Sequence, residues 1–311
     1  MDTKMTDELH LDEFKAYLIT EDRSPITING YEGDVRLFAR WFEKQNQELL
    51  TPEGLTTDTV RGYKQYLLEQ ANKPKTINRR LASLATYAHW LEQVGFVKNA
   101  RNPVQGVKAV KETDLAPKWL DKKQRAALLR AVDKEVEGAV RRFPRLRLMF
   151  LRDAAIVKLI LYTGLRVGEI IQLHLCDIIL DERKGRVIVR EGKGTKRREI
   201  PLNNKARKAM LDYLLVRPEI GCNYLFLGQR DEGIKSKTVQ RSVTRFTDPV
   251  GLRDITPHTL RHTFAKSLID SGVSLEKVAT LLGHSNLNTT RIYTTPGVQD
   301  LEDAVGELDN F

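Results

Sequence analysis

Cysteine is scarce in this sequence, with two residues, Cys176 and Cys222, in a chain of 311. Two thiols supply neither a disulfide framework nor a zinc cluster of known spacing, so we interpret both as ordinary reduced residues. The sequence also lacks an apolar run of about 18 residues and a basic N-terminus that leads into an apolar stretch. These absences argue against a disulfide-stabilised fold and a membrane partner, and they predict a soluble, cytoplasmic protein.

The net charge of the chain indicates a class of binding partner. Lysine and arginine number 51 against 41 aspartate and glutamate, which gives a formal net charge of +10 and favours a polyanionic partner such as nucleic acid. Charge by itself says little about the fold, and many basic proteins bind nothing specific. The length is about twice that of a usual domain, which predicts two domains.

The first third of the chain has the apolar spacing of amphipathic helices. Thr57 or Asp58 is placed to cap the third helix, and Gly95 is a typical stop for the fourth. Helices are predicted at residues 8–21, 27–45, 56–70 and 76–95. The pattern predicts a small all-helical bundle.

Basic residues gather at the start of the fourth predicted helix. Backbone N–H groups and basic side chains at such a position can bind DNA phosphate together, and a solvated helix end is the equal alternative. The residues predicted to bind DNA here are Lys73, Lys75, Arg79 and Arg80.

A domain boundary follows the bundle. Pro103, Gly106 and Pro117 bracket a charged stretch that has neither a helical nor a strand period. We therefore predict a first domain at residues 1–107, a linker at 108–117 and a second domain at 118–295.

The second domain is predicted to be mainly helical with one small sheet, an α+β fold. Residues 120–138 have a helical pattern, and residues 151–178 predict a long buried helix broken at Gly164 and followed by a second helix. Residues 185–192 and 196–202 are short and rich in valine, isoleucine and arginine. The glycine-containing turn Lys193-Gly194-Thr195 between them predicts a β-hairpin.

Chemically distinctive residues lie near the C-terminus. His258 and Arg261 are three apart in a helical segment that Pro257 opens, so both can reach one phosphate. Arg261 would lie on the core side of that helix, which is costly unless an anion or carboxylate meets it. His258 and His262 also have the spacing of a metallopeptidase helix, but the required glutamate is replaced by Thr259, so no metal site is predicted.

His284 follows Leu281-Leu282-Gly283, and Tyr293 lies nine residues further on. Each of these residues taken alone is more often a packed core residue than a catalytic one. The set, however, resembles the tyrosine recombinase (phage integrase) family, whose pattern is His-x-x-Arg, then Leu-Gly-His, then Tyr. Residues 163–170, TGLRVGEI, match the first arginine motif of that family, and Gly192-Lys193-Gly194 lies where the family carries its lysine.

The resemblance implies a bundle that binds core DNA, a catalytic recombinase domain and a metal-free reaction without a cofactor. Tyr293 would attack a DNA phosphodiester and hold the broken strand as a 3′-phosphotyrosine, while Arg166 and Arg261 stabilise the charge on the phosphorane. The phosphotyrosine retains the energy of the broken bond, so a second strand can be joined through a Holliday junction.

The resemblance also implies the supporting roles. His258 would assist removal of the tyrosine proton, and Lys193 would protonate the leaving 5′ oxygen. His284 would donate a hydrogen bond to the phosphate. Glu169, one helical turn from Arg166, would orient that arginine.

The predicted hairpin adds a basic surface. Residues 183–198 contain eight lysines and arginines and one interior acid, Glu191, so we predict that the hairpin faces phosphate rather than solvent. The DNA-binding residues predicted here are Arg190, Lys196, Arg197 and Arg198.

The tail at residues 296–311 has the pattern of an acidic amphipathic helix. In the family such a tail docks on a neighbouring protomer, which implies a dimer on one DNA site and a homotetramer on two. Docking on its own domain is the alternative. The sequence before Leu9 has no obvious arm-binding domain, which favours an Xer-like or mobile-element recombinase in a prokaryotic, nucleoid-associated setting. A type IB topoisomerase and a catalytically silent DNA-binding protein are the competing functions.

Overall fold

The computed structural model describes residues 6–97, 102–112, 117–190, 197–228, 232–284, 286–294 and 305. The chain forms two compact units, residues 1–114 and 115–311. Across the described ranges, no helix is both long enough and apolar enough to cross a membrane.

The first unit is helical. Ser24 caps the second helix by accepting a hydrogen bond from the backbone N–H of Thr27, and Pro25 occupies its first turn. The third helix is capped by Thr56, which forms a reciprocal capping box with Thr59, so the predicted caps Thr57 and Asp58 were wrong by one and two residues. The helices are α1 (Leu11–Thr20), α2 (Pro25–Asn46), α3 (Thr57–Glu69) and α4 (Pro74–Gln93), with 3₁₀ turns at Pro52–Gly54 and Pro103–Gly106.

The apolar stripes of α1 to α4 meet in one core. Phe14, Phe38, Tyr63 and Tyr87 are buried there, and their rings form two edge-on pairs, Phe14 with Tyr87 and Phe38 with Tyr63. The predicted all-helical bundle is confirmed.

The segment after α4 packs against the same unit. Val110 touches its core, the side chain of Asn78 bonds both the N–H and the carbonyl of Val110, and Lys64 Nζ donates to the carbonyl of Lys108. Residues 108–112 therefore belong to the first unit by contact. The domain boundaries at 107 and 118 stay predictions.

The second unit is built on one buried helix. Its helices are α5 (Lys122–Arg142), α6 (Arg147–Thr163), α7 (Val167–Gln172), α8 (Asn204–Leu214), α9 (Ser236–Thr247), α10 (Pro257–Asp270), α11 (Leu275–Leu282) and α12 (Asn288–Arg291). Ala155, Ile156, Val157 and Ile160 of α6 are fully buried in the core. Burial of so many apolar side chains explains why α6 has little amphipathic character.

Gly164 ends α6 in the left-handed conformation, with φ of 65°. A Cβ atom at this position would lie 2.5 Å from Cδ1 of Phe264 and 2.8 Å from Cδ2 of Leu282. Glycine is therefore required both for the backbone conformation and for the close approach of α10 and α11. The break predicted at this residue is confirmed.

The sheet has three antiparallel strands in the order β1 (Ile178–Leu180), β2 (Gly185–Val189), β3 (Arg198–Pro201). Val187 of β2 pairs with Ile178 on one side and Ile200 on the other. The prediction that the helix after Gly164 runs to residue 178 was wrong. It ends at Gln172 because Leu173 is extended, and residues 178–180 pair with β2 instead.

The predicted turn at residues 193–195 lies outside the described residues. The predicted fold class, mainly α with a small sheet, is confirmed.

Candidate active site

Four elements of the second unit meet at one place: the loop between α6 and α7, helix α10, the turn after α11, and α12. Thr256 and Thr259 form a capping box that starts α10, and Pro257 occupies its first turn. Gly283 ends α11 with φ of 64° and places His284 beside α10. The predicted catalytic residues Arg166, Arg261, His284 and Tyr293 are thereby brought together.

Arg261 is 4% exposed, and its guanidinium donates to the carbonyls of Gly164 and Leu282. Its Nη2 also lies 3.0 Å from Nε2 of His284. Burial, and then the charge of Arg166, lower the pKa of Arg261 to about 10. The sequence suggested an anion or a carboxylate as its partner, but within the described residues its hydrogen-bond partners are uncharged.

Glu169 lies between two arginines. Its Oε1 accepts from Arg166 Nη1 at 2.9 Å, and its Oε2 accepts from the backbone N–H of Arg166 at 2.8 Å. Arg198 donates through Nη1 at 3.1 Å and through Nη2 at 2.9 Å to the same carboxylate. The side chain of Glu169 therefore fixes Arg166 at the start of α7.

The protonation state of Glu169 follows from these contacts. Burial raises the pKa of its carboxyl, but the hydrogen bonds from Arg198 and Arg166 and their positive charges outweigh burial and lower it below its usual range. Three guanidiniums, those of Arg166, Arg198 and Arg261, thus surround one ionised carboxylate. The cluster keeps a net positive charge in a largely buried setting, which favours binding of an anion.

His284 has both ring nitrogens engaged. Nε2 faces Arg261 Nη2, and Nδ1 lies 2.8 Å from the hydroxyl of the buried Thr290. Because a guanidinium only donates, Nε2 must accept, so the ring proton sits on Nδ1 and is donated to Thr290. Burial, with the charges of Arg261, Arg166 and Arg198, lowers the pKa of His284 to about 4, which agrees with a neutral ring.

Tyr293 is 1% exposed and packs among Phe264, Val278 and Leu282. Its hydroxyl lies 2.8 Å from Nδ1 of His262. Burial raises the pKa of Tyr293, although Arg261 and Arg166 act in the opposite direction. The phenol is therefore neutral in this state and is hydrogen-bonded to a histidine that was not among the predicted site residues.

Two family models match the sequence of this chain. The model described as phage integrase family covers residues 118–299, and the model described as phage integrase, N-terminal SAM-like domain, covers residues 11–95. The chain belongs to the phage integrase family.

Individual relatives and solved structures agree with this family assignment. It is 43% identical to tyrosine recombinase XerC of Corynebacterium glutamicum over 147 residues, a match that spans 47% of each chain. It is 31% identical to tyrosine recombinase XerC of Thermodesulfovibrio yellowstonii over 86% of this chain and 85% of that one. A crystal structure of XerH recombinase bound to palindromic difH substrate superposes with a TM-score of 0.74 at 22% identity, covering 99% of this chain and 88% of that one.

The chain is thus a site-specific DNA recombinase of the tyrosine class. These findings give no support to a type IB topoisomerase or to a silent DNA-binding protein.

Other predicted site residues of the integrase lie at different distances from the cluster. His258 is exposed on the first turn of α10, and among the described residues no hydrogen bond joins it to Tyr293. Lys193 and Lys196 lie outside the described residues. The roles predicted for these three residues stay predictions.

Arginines of the basic hairpin form ion pairs with acidic residues outside residues 183–198. Arg190 bonds Asp177 at 2.7 Å, and Arg197 bonds Glu199 at 3.2 Å, each with an exposed side chain. Arg198 requires a correction. It was predicted to bind DNA, but its side chain is 7% exposed and is held by Glu169.

The four basic residues at the start of α4 also fall into two groups, one exposed and one with an internal partner. Lys73 and Lys75 are exposed. Arg79 instead bonds the buried Asp34 through Nη2 at 2.9 Å, and Arg80 lies 3.9 Å from the same carboxylate. Two of the four predicted DNA-binding residues therefore have an internal partner, which the sequence did not indicate because Asp34 is 45 residues from Arg79.

Sequence reasoning missed His262, Thr290 and the internal role of Arg198. His262 was considered only as a metal ligand with His258, and the described residues contain no group of three or more potential ligands arranged for a metal. A signal was present: His262 directly follows Arg261, and Thr290 lies one helical turn before Tyr293. Neither spacing identifies a hydrogen-bond partner without the fold.

Proposed function

We propose that this recombinase cleaves one strand of duplex DNA by attack of Tyr293 on phosphorus, and that the broken strand is held as a 3′-phosphotyrosine. The 5′ hydroxyl of a second strand then attacks this ester and is joined through a Holliday junction. The phosphodiester energy is kept in the protein–DNA bond, so the exchange needs no nucleotide cofactor.

The observation that carries this proposal is the buried positive cluster beside the tyrosine. Arg261 points its charge at main-chain carbonyls and His284, and Arg166 is close enough to lower its pKa. A phosphodiester entering here would supply the missing negative charge, and the two guanidiniums would stabilise the further charge that develops in the phosphorane. Such stabilisation is often the largest single contribution to catalysis.

The supporting roles follow from position. Glu169 and Arg198 are positioning residues that hold Arg166, because their contacts fix its guanidinium and its backbone. We assign protonation of the leaving 5′ oxygen to Lys193. His284 would donate to the phosphate only after Arg261 turns from its Nε2 to the incoming anion, which releases that nitrogen to carry a proton.

A cleft of about 610 Å³ opens beside Arg166 and His258 and extends to Arg190. We propose that DNA phosphate enters the cluster through this cleft, with the exposed His258 and Arg190 at its wall. Lys73, Lys75, Arg197 and the hairpin lysine Lys196 would contact the phosphate backbone outside it.

The assembly is proposed from the reaction. Exchange of strands between two duplexes requires two cleaving protomers on each, so a dimer would occupy one site and a tetramer two. The tail at residues 296–311 is the proposed contact between protomers. The relatives named above are tyrosine recombinases of bacteria, which supports action on DNA in a bacterial cytoplasm.

Covalent trapping tests this function. Duplex sites selected by binding would be nicked close to the scissile phosphate, incubated with wild type or Tyr293→Phe in EDTA, and resolved on a denaturing gel. A DNA adduct with the wild type alone is expected. An adduct that persists in Tyr293→Phe would show that another group is the nucleophile, and binding without any adduct would contradict the proposal.

A further inference from the structure

The hydroxyl of Tyr293, the proposed nucleophile, is hydrogen-bonded to a side chain that can act as a base. Tyr293 Oη and His262 Nδ1 are 2.8 Å apart, and the two rings are tilted by 51° with their centroids 5.5 Å apart. A general base must first lie within hydrogen-bond distance of the proton that it removes. By this geometric criterion His262 qualifies in the described structure, and the exposed His258 does not.

The direction of this hydrogen bond can be assigned. The phenol is buried, and a buried O–H needs an acceptor. Within the described residues, His262 Nδ1 is the partner found for it. Nδ1 therefore accepts, and the proton of the neutral imidazole sits on Nε2. Burial, together with the charges of His258 and Arg261, lowers the pKa of His262 to about 4, so Nδ1 is free to accept at neutral pH.

The arrangement also leaves the oxygen able to react. Oη has a further lone pair while its proton points at Nδ1, so the phenol can attack phosphorus without first breaking the bond to His262. Arg261 directly precedes His262 on α10, and its guanidinium donates to the carbonyls of Gly164 and Leu282. One turn of helix thus presents a cation for the phosphate and an acceptor for the phenolic proton.

We infer that His262 is the catalytic base of DNA cleavage, accepting the proton of Tyr293 through Nδ1 as the phosphotyrosine forms. This inference rests on the proposed function of Tyr293 as nucleophile. It moves the role that the sequence suggested for His258 to the histidine four residues later.

The step balances. A lone pair of Oη forms the bond to phosphorus, and the bond from phosphorus to the 5′ oxygen breaks with its electron pair on that oxygen. The phenolic proton moves to Nδ1 of His262, while the 5′ oxygen takes a proton from a separate acid, for which Lys193 is the proposed donor. The charge of the phosphorane offsets the new charge on His262 beside Arg261. In rejoining, His262 returns its proton to the phenol.

The test replaces the base and then removes the need for it. His262→Asn keeps a polar atom close to the place of Nδ1 but abolishes its basicity. We expect it to bind DNA normally and to form the covalent adduct about 100-fold more slowly at pH 7. His89→Asn, on the exposed surface of α4, is the matched control and should cleave at the wild-type rate.

Two changes should restore cleavage by His262→Asn. Raising the pH should increase its rate relative to wild type by up to tenfold per unit, because the phenolate fraction grows in that proportion below the pKa of the phenol. A fluorinated tyrosine of lower pKa, incorporated at position 293, should restore the rate at pH 7. A residue that only packs against Tyr293 would give neither recovery.

The outcomes separate the two proposals. Wild-type cleavage by His262→Asn, or a loss that neither pH nor fluorotyrosine restores, overturns the role of His262 and leaves Tyr293 as the nucleophile. Restoration of His258→Asn alone by fluorotyrosine would return the role of base to His258. Failure of the wild type itself to form a Tyr293-dependent adduct would overturn the proposed function instead.

Discussion

Arg198 and Glu169 form a buried, two-pronged ion pair between strand β3 and the first turn of helix α7, with both side chains less than a tenth exposed. The same carboxylate accepts from the backbone and side chain of Arg166. The sheet is therefore connected to Arg166, a proposed catalytic residue, through one carboxylate. This relationship explains why the side chain of Arg198 is buried although it belongs to a basic hairpin.

Arg198→Ala should destabilise the protein and slow cleavage. Removing one partner of a buried ion pair costs about 3 to 5 kcal/mol, and Arg166 would lose its fixed position. Arg186→Ala is the matched control, since Arg186 on β2 forms an exposed pair with Glu199, worth about 1 kcal/mol or less. Urea unfolding and single-turnover cleavage measure both effects. Equal stability of the two variants would contradict the role assigned to Arg198.

Thr290→Val should slow cleavage without weakening DNA binding. The substitution removes the hydrogen-bond partner of His284 Nδ1, so the ring is no longer held in its orientation beside Arg261. We expect a loss of about tenfold, equivalent to about 1.4 kcal/mol. Thr289→Val, at the exposed neighbouring position, should leave the rate unchanged, and Thr290→Ser should retain most of it. A tenfold loss in DNA affinity would point to a misplaced segment instead.

Gly164→Ala should lower stability strongly. The left-handed backbone costs a residue with a Cβ about 1 to 2 kcal/mol, and the added atom would collide with Phe264 and Leu282, at a further cost of about 1 to 3 kcal/mol. Gly138→Ala in α5 meets nothing within 4 Å and should instead be neutral or slightly stabilising. Thermal unfolding of the two variants compares these effects directly. Similar melting temperatures would show that the turn accepts a side chain.

The stability of the protein should fall between pH 6.5 and pH 4. His262 and His284 have a folded-state pKa of about 4, lower than the ordinary 6.5, so the unfolded chain binds more protons in this window. Their contribution is complete above pH 6.5 and is lost as the pH falls toward 4. His262→Gln should reduce the slope of unfolding free energy against pH in this range. A slope unchanged by this substitution would contradict the lowered pKa.

Lys75→Ala should weaken DNA binding uniformly across sequences. If Lys75 neutralises one phosphate, the slope of log affinity against log salt should fall by about 0.9. Arg79→Ala should act mainly by leaving Asp34 with fewer donors, which reduces the stability of the first unit. Filter binding over a salt series, together with unfolding of each variant, separates the two. A full change in salt slope for Arg79→Ala would return that residue to the DNA surface.

Most of the helices, the two hairpin strands and the candidate site residues could be predicted from the sequence. The spacing of apolar residues gave the bundle and the buried helix, because burial of one face imposes a period on the chain. Gly164 was identifiable because few other residues accept the left-handed conformation that ends α6. The motifs around Arg166, Arg261, His284 and Tyr293 were recognisable as a set because their order and spacing resemble those of the tyrosine recombinase family.

The tertiary structure alone decided which partner each side chain has. Arg198 and Arg197 are adjacent and chemically identical, yet Arg198, the first residue of β3, is buried on Glu169, and Arg197, which directly precedes β3, is exposed, because successive residues of an extended chain point in opposite directions. In the same way, Tyr293 contacts His262 rather than His258, although both histidines lie on one face of α10, because His262 lies one helical turn, about 6 Å, further along the helix. Hydrogen bonds depend on distances of a few ångströms between distant segments, and sequence spacing does not specify those distances.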